Sequence, residues 1–298
     1  MIRRAHTPDP AGIGTAAADR IAAALLIAPA LLYLTLLFIA PLAAVAAYSL
    51  LRMAPDGSFA GGITIANYAR ALDPLYLGVL LRSLWLAALT TAAALCLAYP
   101  CTLALRAMAP RTRLLALALI VLPSWLNLLI KNYAWIVILR REGVLNTLLQ
   151  SLGLTGAPLP LLFNDGAVLL GLVHTYLPFM ILPLYVSVER MDASLVDAAR
   201  DLGAGRWQRF RTVVLPQTRA GAAAGCVLVF VPALGSFVTP DLLGGTRSLM
   251  LANLIENQML QTRDWPLAAA LSMFIIALVL LAALLLRRLT PVDARLVP

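Results

Sequence analysis

The amino-acid sequence predicts an all-α, polytopic membrane protein with six transmembrane helices. Three observations lead to this fold class: composition, the lengths of the apolar runs and the placement of positive charge. Of the 298 residues, 61% are hydrophobic and 12% are charged, against roughly 45–50% and 25% in soluble domains. The mean hydropathy of +0.88 is typical of a chain that lies mostly in lipid.

Six apolar stretches are long enough to cross a bilayer, which takes about 20 apolar residues in a helix. They cover residues 21–51, 75–105, 114–139, 167–188, 220–238 and 266–286. The first is longer than the apolar core of a cleavable signal, about 7–15 residues, so it is predicted to be a retained helix that bends at Pro41. The chain then divides into a tail (1–20), a six-helix domain (21–288) and a second tail (289–298).

Positive charge predicts the orientation of these spans. The chain carries 23 Lys and Arg against 14 Asp and Glu. With six spans, both termini share one side of the membrane, and most arginines of the loops fall on that side. Positive loops are retained in the cytoplasm, so the N- and C-termini and the polar segment 189–219 are predicted to be cytoplasmic. Basic residues in short loops set orientation in this way, and no nucleic-acid partner is predicted.

No metal site, cofactor or catalytic site is predicted. Cys96, Cys101 and Cys226 lie in or beside apolar spans without metal-ligand spacing, where cysteine behaves as a small hydrophobic residue. His6 and His174 are isolated in the sequence. The G-x-x-x-x-G-K-[ST] phosphate loop is missing as well, so this chain is not expected to hydrolyse ATP.

Segment 189–219 is the one sizeable polar surface that the sequence offers to a soluble partner. Ser194 and Asp197 have the spacing of a capping box, which predicts a helix start. Gly203 predicts a left-handed helix end. A second helix is predicted from about 206 to 214, and Pro216 is expected to interrupt the helical hydrogen bonds where the chain re-enters the membrane.

Two interpretations of this segment follow from its residues. Its arginines favour an amphipathic hairpin that lies on anionic lipid headgroups. The small pair Ala198 and Ala199 favours docking in the groove of a partner protein, because small side chains let another backbone approach closely.

The same segment resembles a family pattern, the Glu-Ala-Ala segment of the membrane subunits of ATP-binding-cassette importers. The matching residues, at matching spacing, are Asp197, Ala198, Ala199, Gly203, Val213, Leu215 and Pro216. In that family the segment is the coupling helix, here about 193–216, and it docks in a cleft of an ATPase subunit. The resemblance implies that Asp197, Ala198, Ala199, Gly203, Leu215 and Pro216 serve this coupling. Asp197 replaces the family's Glu, which keeps the charge but shortens the reach by one methylene.

A larger part of the chain, roughly residues 75–272, resembles the spermidine/putrescine branch of these permeases. The segments that carry this resemblance are 122–125, 131–135, 141–146, 176–179, 182–185, 230–235 and 240–245. It implies a type I ABC importer permease fold with a core unit at about 75–285, and import of a polyamine across the bacterial inner membrane. Another small solute (an opine, an amino acid-like compound, a metal or an anion) stays open as cargo.

The resemblance also implies partners: two copies of an ABC ATPase subunit, a second permease subunit that is related but different, a periplasmic solute-binding protein and the lipid bilayer. The chain itself is then a transport subunit and not an enzyme, and it works by alternating access. A self-sufficient secondary transporter is the competing function. It predicts membrane-embedded acids and internal repeats, which inspection of the sequence does not reveal.

Two charged residues within the apolar spans, Arg82 and Lys131, are candidates for the substrate path, since such charges are costly. Both lie near the predicted outer face, where snorkelling or a local ion pair also explains them. Trp125, Tyr133 and Trp135 surround Lys131 in the sequence. They fit either a cation–π cage for an amine or an aromatic belt at the membrane interface.

Tyr176 and Ser236 complete the candidate path. A polyamine path should also contain carboxylates, but the spans offer almost none, and Asp165, Asp241 and Glu256 fall near the predicted outer ends. Either the path holds its substrate weakly and a separate binding protein supplies selectivity, or the substrate is not a polyamine. The residues leave both alternatives open.

Overall fold

The structure, a computed structural model, describes residues 12–54, 58–245 and 248–289. Residues 1–11 and 290–298, which hold His6 and most of the two predicted tails, lie outside the described residues. The first tail was expected to reach residue 20, but a helix already begins at Gly12. Leu289, assigned to the second tail, is the last residue of the final helix.

Most of the described residues are helical. In chain order the helices are α1 (Gly12–Ser49), α2 (Ala66–Ala71), α3 (Pro74–Ala107), α4 (Pro110–Val121), α5 (Leu128–Leu139), α6 (Val144–Ser151), α7 (Asp165–Glu189), α8 (Ala193–Asp201), α9 (Arg206–Arg209), α10 (Leu215–Leu234), α11 (Leu251–Leu260) and α12 (Trp265–Leu289). A two-stranded antiparallel hairpin, β1 (Leu51–Met53) and β2 (Phe59–Ile63), is the exception to the all-α prediction within these residues.

The first helix, α1, lies at the edge of the bundle. It continues through Pro29 and Pro41 instead of ending at either, and it packs along α12. The buried amide of Asn67 ties its end to the hairpin, donating to the carbonyl oxygens of Ser49 (2.9 Å) and Leu51 (2.8 Å). Most of the described side chains of α1 are exposed apolar groups, so this helix has a free face for lipid or another chain.

The third predicted span, 114–139, is not one continuous helix. After α4 comes a 3₁₀ turn at Leu122–Trp125, and α5 begins afresh with the Asn127 side chain accepting a hydrogen bond from the Leu129 amide (2.8 Å). The two halves are bent by 95°. Pro123 in the turn lacks an amide hydrogen and so interrupts the helical hydrogen bonds, and the backbone becomes extended at Leu126 (φ −70°, ψ 143°).

Three helices, α3, α7 and α10, form the centre of the bundle. Pro178 and Pro183 lie inside α7, yet α7 is continuous. The contact between α7 and α10 is close because of two glycines in α10. A Cβ atom at Gly221 would stand 2.5 Å from the Pro183 carbonyl oxygen, and one at Gly225 would stand 2.6 Å from the Met180 sulfur.

Beyond α10 the chain turns back into the bundle before α12. The predicted fifth span, 220–238, ends earlier, at Leu234. The apolar run 249–255 is too short to span a membrane, and most of it lies in α11, which begins at Leu251. Ser83 Oγ accepts a hydrogen bond from the amide that opens α11 (2.7 Å), and Asn253 Nδ2 donates to the Phe237 carbonyl oxygen (2.9 Å). Two buried polar side chains therefore hold this returning segment.

By length and apolar composition, four described helices are able to cross a membrane: Leu25–Ser49, Pro74–Ala107, Asp165–Glu189 and Arg206–Leu234. The bent pair made by α4 to α6 brings the number to five. The apolar part of α12, Trp265–Leu281, is shorter. The predicted polytopic helical fold is confirmed, whereas the count of six spans is reached only if the bent pair and α12 each cross the bilayer.

Candidate functional site

The polar hairpin, residues 192–209, follows α7 and consists of α8, a turn and α9. Its first helix, α8, is capped by Asp192, whose carboxylate accepts a hydrogen bond from the Ser194 amide (2.9 Å). The predicted capping box of Ser194 and Asp197 is therefore wrong. Asp192 has extended backbone angles and is as good an N-cap as serine, so the helix starts two residues earlier. Hydrogen bonding from Ser194 holds the pKa of Asp192 below its ordinary value.

The hairpin turns at Gly203, as the sequence predicts. Gly203 has φ +80°, a left-handed conformation that glycine adopts without steric cost. Its amide donates to the Arg200 carbonyl oxygen (2.9 Å), and the Ala204 amide donates to that of Ala199 (3.0 Å). This pair of hydrogen bonds is the Schellman motif, which fixes the direction in which the chain leaves α8.

The outer face of the hairpin is free of contacts with the bundle. Asp197 and Ala198 are exposed and Ala199 is half-buried. Two leucines flank this small pair, and Leu195 is 51% and Leu202 88% exposed. The result is a low, partly apolar surface that carries the carboxylates of Asp197 and Asp201 on one face of α8, a shape suited to docking against another protein.

The second half of the hairpin leads directly into the membrane. The chain from Arg206 to Leu234 is a single helix of 29 residues, with a wider π-helical turn at Phe210–Val214. Pro216 was expected to interrupt the helix, and it does not. In a regular α-helix its ring would clash with the carbonyl group four residues earlier, and the wider turn directly before it moves that carbonyl group aside.

Two arginines fix the base of the hairpin. The Arg106 guanidinium, at the end of α3, donates to the carbonyl oxygens of Val188 and Met191, at 2.9 Å each. Arg113, in the first turn of α4, forms an ion pair with Glu189 (2.8 Å). These contacts join α3 and α4 to the end of α7, so a force on the hairpin is transmitted to the central helices.

The opposite end of α7 carries a second charge cluster. Arg82 forms an ion pair with Asp165 (2.6 Å), and the Ser248 hydroxyl donates to the same carboxylate oxygen (2.7 Å). Of the two interpretations of Arg82, the local ion pair is therefore the one that the structure shows. The cluster ties α3, α7 and the segment before α11 together at the end that the charge bias predicts to face outward.

We expect Arg82 and Asp165 to be coupled weakly, because their side chains are 36% and 48% exposed. In a double-mutant cycle of Arg82→Gln and Asp165→Asn, thermal stability in detergent should show a coupling of about 1 kcal/mol or less. Independent, additive effects of the two changes would contradict the pairing. Arg140→Gln, an exposed arginine in a predicted outer loop, is the matched control and should have no coupling with Asp165→Asn.

Trp135 lines an apolar cavity of about 580 Å³ that lies between α3, α4 and α7. Its ring meets that of His174 edge to face, with centroids 5.6 Å apart. Trp125 and Tyr133 are 84% and 57% exposed, whereas Lys131 is half-buried. The structure therefore does not gather the three aromatic residues into one cluster around Lys131.

Tyr176 and Ser236 meet between α7 and α10. The Tyr176 hydroxyl donates to the Pro232 carbonyl oxygen (3.2 Å) and lies close to the buried Ser236 side chain. Pro232 lies in the last turn of α10, where carbonyl groups have no helical partner. Tyr176 thus supplies a hydrogen bond that the end of α10 lacks, at the centre of the bundle.

The buried polar residues Asn132 and Thr239 belong to the packing of the bundle. Asn132 Nδ2 donates to the Leu128 carbonyl oxygen (3.0 Å) and to Thr239 Oγ1 (3.3 Å). Both side chains are 1% exposed. They join α5 to the π-helical turn at Pro240–Gly244 and are not available to line a path.

A small polar cavity of about 200 Å³ joins two carboxylates that are 15 residues apart in the sequence. Asp241 and Glu256 line it together with the amide side chains of Asn253, Asn257 and Gln261. It lies where α11 returns toward α10, at the end of the bundle opposite the hairpin. Sequence reasoning noted both acids but not the three amides, whose spacing along α11 was the available signal.

Within the described residues, no group of three or more His, Cys, Asp or Glu side chains is placed to hold a metal ion. The described residues instead offer two polar features, the polar hairpin at one end of the bundle and the carboxylate cavity at the other. An apolar helix bundle with these features is a polytopic membrane protein.

Residues 15–292 match the family described as the binding-protein-dependent transport system inner membrane component, and the chain belongs to this family. It is therefore a multi-pass inner-membrane protein, the permease subunit of an ABC importer and not an enzyme.

Curated relatives agree with this assignment. The spermidine/putrescine transport system permease protein PotB of Haemophilus influenzae is 45% identical over 233 residues, covering 78% of this chain and 80% of its own. PotB of Escherichia coli is 44% identical over 218 residues, covering 73% and 79%. The inner membrane ABC transporter permease protein YdcU of Escherichia coli is 33% identical over 244 residues, covering 78% of each chain.

Among solved structures, a chain of a bacterial alginate ABC transporter, crystallised with an alginate-bound periplasmic protein, has the same fold. It covers 91% of this chain and 93% of its own, with a TM-score of 0.71 and 17% sequence identity. At this identity the likeness concerns the fold alone. It confirms the type I permease architecture that the sequence resemblance implied.

Proposed function

We propose that this permease imports a polyamine of the spermidine/putrescine class and that its polar hairpin is the segment through which an ATPase subunit drives transport. The observation that carries the coupling proposal is the hairpin itself. It is exposed on its outer face, fixed in direction by Gly203 and joined rigidly to α3 and α7 at its base. Such a surface transmits a displacement instead of absorbing it.

In this proposal the hairpin and both termini are cytoplasmic, as the charge bias indicates. Asp197, Ala198 and Ala199 face the ATPase, Gly203 sets the turn, and Leu215 and Pro216 begin the re-entry into the membrane. Two ATPase copies, a second and related permease chain, and a periplasmic solute-binding protein complete the importer. Closure of the ATPase pair draws two such hairpins together and opens the cavity outward.

Support for a polyamine comes from two sources. The PotB proteins, which are 44–45% identical to this chain, are named for spermidine and putrescine transport. The carboxylate cavity, with Asp241, Glu256 and three amides, offers the counter-charge that a desolvated ammonium group requires. In this proposal the carboxylates that a polyamine needs lie outside the spans, at the predicted outer end.

Purification of the tagged chain from its native membrane tests the coupling proposal. An ATPase subunit is expected to accompany it, and ATP hydrolysis by the complex should rise when the loaded periplasmic protein is added. Recovery of the chain without any ATPase would contradict the proposal. Binding of spermidine and putrescine to the periplasmic protein encoded beside this gene tests the cargo separately, because failure there leaves the importer class intact.

We expect the double substitution Asp241→Asn and Glu256→Gln to raise the KM for spermidine uptake about tenfold, with each single change accounting for part of this. Loss of two carboxylates removes attraction for the ammonium groups while the amide shapes stay similar. Glu142→Gln, which removes an exposed acid in a predicted outer loop, is the matched control. An unchanged KM in the double variant would mean that the path holds its cargo without these acids.

A further inference from the structure

A second large groove lies beside the polar hairpin, at the other side of α3 from the first cavity. It encloses about 510 Å³ between α3 and the start of the 29-residue helix, within the roughly 300–1,000 Å³ usual for ligand pockets. On α3 it is lined by Cys96, Tyr99 and Leu103, and on the other helix by Trp207, Phe210 and Leu215. We call it the interfacial groove.

Three aromatic side chains in mutual contact form one wall of the interfacial groove. Trp207 stacks on Phe210 with ring centroids 5.6 Å apart, and Phe210 meets Tyr99 edge to face at 5.1 Å. The Tyr99 hydroxyl is hydrogen-bonded to Thr218 (3.1 Å), which fixes the floor. Trp207 remains 72% exposed, although a tryptophan is costly to leave in water and is enriched where lipid meets water.

The depth of the groove in the membrane indicates whether water, protein or lipid fills it. Its α3 residues, 95–103, precede the end of α3 at Ala107 by 4 to 12 residues, which is about 6–18 Å along the helix axis. This is the hydrocarbon half next to the hairpin. A soluble ATPase does not reach into this layer, whereas a phospholipid chain does.

Two arginines lie beside the mouth of the groove. Arg206 lies four residues before Phe210, and Arg211 lies four residues after Trp207, so both arginines flank the aromatic pair. Both are exposed, and the described residues form no ion pair with either. From Leu202 to Pro240 the sequence contains no Asp or Glu. The charges at this mouth are therefore available for an external anion.

From this combination we infer that the interfacial groove binds one anionic phospholipid of the cytoplasmic leaflet. Its acyl chain lies along α3 against Trp207 and Phe210, and its phosphate lies at the mouth, next to Arg206 and Arg211. The lipid braces the second arm of the hairpin against α3. This site is distinct from the solute path and from the ATPase-facing surface on α8, and it does not depend on the identity of the cargo.

The test measures lipid retention by the permease purified with its associated subunits. The complex is placed in nanodiscs of equal parts phosphatidylglycerol and phosphatidylcholine, released, and analysed by native mass spectrometry. We expect phosphatidylglycerol to be retained preferentially. Each of Arg206→Gln and Arg211→Gln should lower its retention about fivefold and the double variant about 30-fold, from about 1 kcal/mol per basic residue near anionic lipid.

Arg190→Gln is the matched control, since it removes an exposed arginine at the end of α7, outside the groove, and retention should stay unchanged. Equal retention of the two lipids, or unchanged retention in the double variant, would overturn the inference. If the double variant does not assemble, wild-type complex with photoactivatable phosphatidylglycerol decides. Labelling of residues 95–103 and 206–215 supports the site, and labelling elsewhere overturns it.

One further outcome separates lipid from a protein occupant. A photo-crosslinking residue introduced at position 103 should capture phospholipid. If it captures the second permease chain instead, the groove is an interface between permeases, and the lipid inference is wrong.

Discussion

Gly203→Pro is expected to abolish uptake while leaving the membrane bundle folded. Proline holds φ near −65°, whereas position 203 has φ +80°, and proline also removes the amide that donates to the Arg200 carbonyl oxygen. A cost of about 2 kcal/mol or more lowers the equilibrium constant for forming the native hairpin about 30-fold. Transport by reconstituted vesicles and ATPase co-purification are the measurements, and both should fall together.

Gly205→Pro is a close control for that change. Gly205 is two residues further on and has φ −64°, and at both glycines a Cβ atom would meet nothing within 4 Å. Proline fits the backbone angle of Gly205, so uptake should be largely retained. If Gly203→Pro leaves assembly and uptake as in wild type, or if both prolines act alike, the hairpin geometry is not what couples the ATPase to transport.

Gly221→Leu is expected to prevent accumulation of folded protein, and Gly221→Ala to lower the melting temperature in detergent by about 5 °C. A Cβ atom at this position meets the Ser187 hydroxyl and the Pro183 carbonyl oxygen. The carbonyl belongs to the backbone of α7 and is not free to rotate away. Overpacking of this kind costs about 1–3 kcal/mol, which corresponds to a few degrees for a chain of this size.

The matched change is at Gly78 in α3. It is also a helical glycine, but nothing lies within 4 Å of a Cβ atom there. Gly78→Ala should be neutral or slightly stabilising, because alanine favours the helix by about 1 kcal/mol over glycine. A melting temperature of Gly221→Ala equal to that of Gly78→Ala would mean that α7 and α10 are not in such close contact.

The sequence predicted the parts of this fold that depend on local chemistry. Apolar runs of sufficient length located the helices, since only a helix satisfies its backbone groups in lipid. The turn at Gly203 was predictable because a left-handed residue after a helix is most often glycine. The hairpin motif and its spacing were enough to recognise the importer class, which the family assignment confirms.

The errors arose where tertiary packing or a competing residue decides. Pro123 breaks a span whereas Pro178, Pro183 and Pro216 do not, and composition alone does not distinguish these prolines. Asp192 and Ser194 are both suitable N-cap residues, and which of them begins α8 depends on where α7 ends. In both cases the outcome depends on local backbone geometry, which the periodicity of apolar residues in the sequence does not specify.

The candidate site was predictable to an unequal degree. Contacts within the hairpin span few residues and leave a recognisable pattern. The carboxylate cavity joins Asp241 to Glu256 across the return of α11, and the pair of Arg82 and Asp165 spans 83 residues. Such long-range pairs have no spacing signature in one sequence. The sequence therefore indicates the hairpin more directly than it indicates these contacts.

The continuous helix from Arg206 to Leu234 is long enough to carry a small rotation at one end to the other end as a larger displacement. Its 29 residues measure about 43 Å from end to end at 1.5 Å per residue. A tilt of about 5° about the Arg206 end would move the Leu234 end about 4 Å sideways, which is more than the length of a hydrogen bond. Ser236 follows closely on that moving end, so a small rocking of the polar hairpin would also displace the segment that leads from α10 to α11.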